Sequence, residues 1–154
     1  MHLTQLNENP NAALSAKSNL YQTQIEYILN DLNGRDLPDY VAKAINAAVE
    51  ELNTTTKTEY ALHKLLKQKQ TDIVKVLEKE LKIVPINYYR NLWMVVGMAA
   101  FGLPLGVAFG TAIGSMGMMG IGLPIGMVIG IAVGTKFDKR AHEDGRQLSV
   151  EIKN

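Results

Sequence analysis

Residues 91–135 contain no Asp, Glu, Lys, Arg or His, making 45 consecutive uncharged residues, nearly all of them apolar. Such a run has few ways to fold. A bilayer core about 30 Å thick is crossed by about 20 helical residues, whereas a single helix of this length would extend about 68 Å at 1.5 Å per residue. Two spans joined by a tight turn fit. The expected spans are 92–113 and 118–136, with the reversal in Gly114-Ser115-Met116-Gly117, where glycine permits a sharp change of direction. A soluble core is the poorer solution, because the remainder of a 154-residue chain offers too little apolar surface to wrap two fully apolar helices.

The stretch is internally repeated. Residues 101–114 read FGLPLGVAFGTAIG and residues 121–134 read IGLPIGMVIGIAVG, identical at seven of 14 positions. Each copy sets glycine at every fourth residue: Gly102, Gly106, Gly110 and Gly114, then Gly122, Gly126, Gly130 and Gly134. Four residues advance a helix by about 400°, so each series forms a slowly drifting groove. Lipid gives apolar side chains no reason to prefer one another, and helices associate in it through close backbone approach, which glycine allows. The grooves can close on each other within one chain or on a second copy. Four glycines per helix exceed what one crossing needs, which favours assembly of copies. Pro104 falls mid-span and is expected to kink the first helix, whereas Pro124 falls in the first turns of the second, where its cost is small.

The ends of the stretch suit a membrane boundary. Tyr88, Tyr89, Arg90 and Trp93 precede it, within an interfacial segment expected at 85–93, and Lys136, Lys139 and Arg140 follow. Aromatic rings and snorkelling cations favour that depth. The turn is uncharged while Lys75, Lys79, Lys82 and the cations just named flank the other ends, so positive-inside counting places both termini in the cytoplasm and the spans in the inner membrane. The motifs GLPLGxxxGxxxG and GLPIGxxxGxxxG, with the basic tail Lys136-Phe137-Asp138-Lys139-Arg140, resemble the glycine-zipper membrane segments of many small bacterial proteins. The resemblance covers about a third of the chain and implies packing chemistry more than an activity, since such proteins include both channel subunits and simple anchors.

The first half reads as a disordered Asn/Gln/Pro-rich leader at 1–12, then a cytoplasmic helical region at 13–84. Leu20, Tyr21, Ile25, Ile28, Leu29 and Leu32 make one apolar stripe, stopped by Asn33-Gly34. Asp36-Leu37-Pro38-Asp39 signals a second start. The stripe from Val41 to Leu52 weakens at Asn53-Thr54-Thr55-Thr56 and resumes through Leu62, Leu66, Ile73, Leu77, Leu81 and Val84, with a short coiled-coil seam in its second part; it reads as one long helix with a soft middle, the alternative being two segments joined near Thr55. Pro85 is expected to end or bend it. Residues 137–154 read as a cytoplasmic tail.

Chemistry is sparse. With no cysteine, thiol catalysis, disulfides and thiolate metal sites are excluded. No P-loop, GxSxG or HExxH motif occurs, and Asp138 with His142 at i, i+4 makes too small a set for a metal. No cofactor is implied. A net charge of +1 gives no reason to expect nucleic acid. The chain is therefore read as an all-α protein with amphipathic helices before a transmembrane hairpin, and as non-enzymatic. Its expected partners are the lipid bilayer, further copies of itself as a homo-oligomer or small pore, and, in the adaptor alternative, a protein held by residues 13–84. A membrane-damaging effector is the third reading.

Overall fold

The computed structural model describes residues 2–7, 15–56 and 59–153. The chain is all-α apart from one small sheet. In chain order it runs α1 (Ala16–Asn33), α2 (Asp39–Asn53), α3 (Glu59–Leu81), β1 (Val84–Ile86), α4 (Tyr88–Gly97), a π-helical turn (Met98–Gly102), α5 (Leu103–Ile113), a 3-10 segment (Met116–Ile121), α6 (Gly122–Glu143) and β2 (Gln147–Glu151). These elements form two compact units. One contains residues up to Pro85 together with Leu148–Asn154, and the other is Ile86–Gln147.

In the first unit, α3 packs on both α1 and α2. Ser15 caps α1, its hydroxyl accepting from the Ser18 N–H at 3.3 Å. Ile25, Ile28 and Leu32 of α1, Val41, Ile45 and Val49 of α2, and Leu62, Ile73 and Leu77 of α3 are buried together as the core. The apolar seam of α3 is thus spent inside the unit. The expected long helix is instead two, since α2 ends at Asn53 and Thr54 turns its hydroxyl back onto the Glu50 carbonyl at 2.8 Å. Such side-chain competition for the backbone is what stops a helix at a threonine run. Nor does Pro85 end α3. Lys82 takes a left-handed conformation (φ 57°), and the Ile83 N–H reaches the Leu77 carbonyl at 3.2 Å, closing the helix three residues earlier.

Two segments depart from the sequence reading. Residues 2–7, expected within a disordered leader, lie along α2, held by two asparagines two turns apart. Asn46 accepts from the Thr4 N–H (2.8 Å) and donates to the His2 carbonyl (3.3 Å), and Asn53 does the same for Asn7 (2.8 Å) and Gln5 (2.9 Å). Leu3 is buried. Residues 8–14 lie outside the described residues. The tail at 137–154 begins as the end of α6, which continues to Glu143, and the departure comes after it, where β2 pairs with β1 in a two-stranded sheet. Leu148 and Val150 enter the core of the first unit. The Ser149 N–H bonds Asp31 at 3.2 Å, and the Lys153 carbonyl accepts from buried Gln24, which in turn accepts from buried Gln70 at 2.6 Å.

Candidate functional site

Residues 86–147 fold back on themselves as a helical hairpin, with α4, the π turn and α5 lying against α6. The reversal begins at Gly114, whose left-handed backbone (φ 68°) ends α5, and continues through the 3-10 segment, so α6 starts at Gly122 rather than at 118. Gly114, grouped by sequence with the packing glycines, has nothing within 4 Å of where a side chain would stand; it serves the turn alone.

The other seven glycines of the repeat are buried between the legs. Tyr89 and Arg90 face Gly134, Trp93 faces Gly130, Gly97 faces Gly126 and Gly130, and Gly122 lies against Gly102 and Gly106. A methyl group on Gly97 would stand 2.7 Å from the Gly130 Cα, one on Gly126 would stand 2.7 Å from the Gly102 Cα, and one on Gly122 would stand 2.6 Å from the Gly106 Cα. A methyl on Gly130 would fall on the Trp93 carbonyl, and one on Gly106 on that of Met119. No alanine fits at these points without parting the helices. Gly110 is covered more softly, by the Met119 side chain.

Gly97 belongs to this surface although it stands five residues before Gly102 instead of four. The π turn explains how. The Leu103 N–H bonds the carbonyl of Met98, five residues back, and the widened turn accommodates the additional residue so that Gly97 and Gly102 share a face. Pro104 follows directly, exposed, in the first turn of α5. A widened turn before a proline is where a helix relieves the clash between the ring and the carbonyl one turn back. Where a kink is expected at Pro104, the structure has a π turn at 98–102 immediately before it.

Continuing the α6 stripe by one more step of four reaches Asp138, buried at 7% exposure. Its Oδ1 accepts from the Tyr89 N–H at 2.9 Å and its Oδ2 from the Arg90 N–H at 2.8 Å. Those donors open α4, whose own N-cap residue, Asn87, is left-handed and gives no side-chain cap. One leg of the hairpin thus caps the other, placing a carboxylate at the positive end of a helix dipole. With both oxygens so engaged, Asp138 is not poised to share a metal with exposed His142, and no group of three or more His, Asp or Glu among the described residues is arranged to hold one.

Around this cap the boundary residues gather. Phe137 stacks on Trp93 (centroids 5.7 Å apart, planes at 18°) and tilts against Tyr89 at 5.8 Å, and Tyr88 meets Tyr89 edge-on at 5.3 Å. Arg90 is half-buried, while Lys136, Lys139 and Arg140 are exposed. Between this end and the turn, the outward faces are apolar and exposed, with Val95, Leu103, Val107 and Val128 among them. Helical stretches Tyr88–Ile113 and Met119–Glu143 are both long and apolar enough to cross a membrane. Comparison with family models, curated proteins and solved structures gives no match to this chain.

Proposed function

We propose that the chain is a non-enzymatic integral membrane protein whose glycine-packed hairpin anchors a folded helical unit at one face of a bilayer. One observation carries the reading: the small-residue faces of the two apolar helices are spent on each other, while their large apolar side chains point outward. Helices in a soluble core are mostly buried, yet only 17% and 22% of the most apolar windows here are. An apolar exterior of this extent is at home in lipid.

Topology follows from the first unit. Residues before the hairpin and residues after it build one core, so they occupy one compartment and the hairpin crosses an even number of times. The cations at its open end and the uncharged turn favour the cytoplasm as that compartment by positive-inside counting, with the inner membrane as the bilayer. The anchored helical unit is then the part presented to a protein partner.

Assembly of copies through the glycine grooves is the rival reading, and it requires the hairpin to open, because each stripe is already covered. Gly126→Leu separates the two. In the anchor reading the wild type resists carbonate extraction, has the mass of one chain in mild detergent, and the variant opens the hairpin, shifting the fluorescence of Trp93, the only tryptophan. A defined multimer that the variant reduces to monomers with Trp93 emission unchanged would establish glycine-mediated assembly instead. Recovery of the chain in a detergent-free supernatant would end the membrane reading.

A further inference from the structure

On α6 the residues Ile125, Ile129, Ala132, Lys136 and Arg140 recur at steps of three and four and are all exposed. At about 100° per residue they form one stripe, turned away from the glycine stripe that meets α4. The stripe is apolar over its first eight residues and basic over its last five. From Ile125 to Lys136 it rises about 16 Å, close to the depth of one leaflet of a 30 Å hydrocarbon core.

The fold decides what charge this stripe presents. By sequence, Asp138 and Glu143 offset the neighbouring cations. In the structure Asp138 is turned inward with both oxygens on backbone N–H groups, and Glu143 pairs with Lys139 at 3.8 Å. Among the described residues Lys136 and Arg140 have no side-chain partner. They stand one helical turn apart on the outer face, beside Phe137. We propose that this stripe is a binding site for an anionic glycerophospholipid. One acyl chain lies along Ile125, Ile129 and Ala132, and the phosphate head sits between Lys136 and Arg140. Arginine offers the phosphate a planar fork and lysine a compact charge, a pairing suited to a phosphodiester.

The inference rests on the membrane reading, and the experiment keeps the two apart. The full chain is reconstituted in nanodiscs of phosphatidylcholine with or without phosphatidylglycerol, and lipid retained on release is read by native mass spectrometry. The wild type is expected to retain phosphatidylglycerol in preference to phosphatidylcholine. Lys136→Gln/Arg140→Gln is expected to lose that preference about twenty-five-fold, the product of about fivefold for each cation near an anionic surface. Lys139→Gln, which leaves the stripe intact, should keep it, and excess inorganic phosphate should not compete. Equal retention by wild type and double variant, or displacement by inorganic phosphate, overturns the proposal. Trp93 emission reports whether the double variant keeps its hairpin; if it does not, the two single variants, each expected to lose about fivefold, carry the test. A chain that inserts and resists carbonate but shows no lipid preference defeats this site alone.

Discussion

Asp138 has the largest consequence of any single side chain in the hairpin. Two charge-assisted hydrogen bonds to the backbone donors that open α4, made from a buried position, are worth more than a surface cap. Asp138→Ala removes both bonds and is expected to lower hairpin stability by about 2–3 kcal/mol, and Asp138→Asn, which keeps an acceptor without the charge, by about 1 kcal/mol. Thermal unfolding in mild detergent, followed by Trp93 emission, measures both, because Trp93 stacks on the residue next to the cap. Equal stability of all three proteins would show that the cap contributes nothing. The sequence holds the signal for this role: Asp138 is four residues beyond Gly134, the next step of a series already visible. A stripe defined by glycine hides its own continuation once the residue type changes. The exposure of Lys136, Lys139 and Arg140 is legible from residue type alone, but the inward turn of the intervening aspartate is not, since it depends on the partner helix.

Among the elements, the hairpin is the most legible and the sheet the least. Forty-five uncharged residues and a four-residue glycine period suffice for two close-packed rods. The π turn escapes that period, because a gap of five between Gly97 and Gly102 reads as a break in the pattern until the backbone is seen to absorb it. This leads to an asymmetric pair of expectations. Inserting one alanine between Gly126 and Gly130 rotates the following glycines by about 100° off α4 and should open the hairpin. Deleting Ala100 turns the gap of five into four and should be tolerated better, with a regular α-helix replacing the π turn. The same fluorescence-detected unfolding ranks them, and a deletion as damaging as the insertion would mean that the π turn is needed for something besides register. Strands β1 and β2 went unread because three and five residues are too few for a periodicity to declare itself. The alternation of Leu148 and Val150 with polar neighbours is the only local trace. The break between α2 and α3 was visible as Asn53-Thr54-Thr55-Thr56, yet a polar run alone does not say whether a helix softens or stops.

At the scale of the molecule, the first unit draws its core from both sides of the hairpin. A chain ending at Gly145 lacks Leu148 and Val150, both buried, and leaves Gln24 without the Lys153 carbonyl. Losing two such aliphatic side chains costs about 3–6 kcal/mol at about 1.5–3 kcal/mol each, a large share of the stability of a small helical domain. Circular dichroism of the truncated chain in detergent should show melting of the first unit's helices well below that of the full chain, with the hairpin retained. Unchanged melting would show that α1, α2 and α3 suffice. No reading of residues 1–85 in isolation reveals this dependence, because the missing pieces lie beyond the whole of Ile86–Gln147, a segment of unrelated composition. The arrangement also imposes an order of events on biosynthesis. The helices of the first unit emerge from the ribosome first, but their fold closes only when Leu148 and Val150 arrive, by which time both legs of the hairpin have been made. A chain whose synthesis stalls within the hairpin would thus carry an unfinished, protease-sensitive domain, so completion of the first unit reports on completion of the oily one.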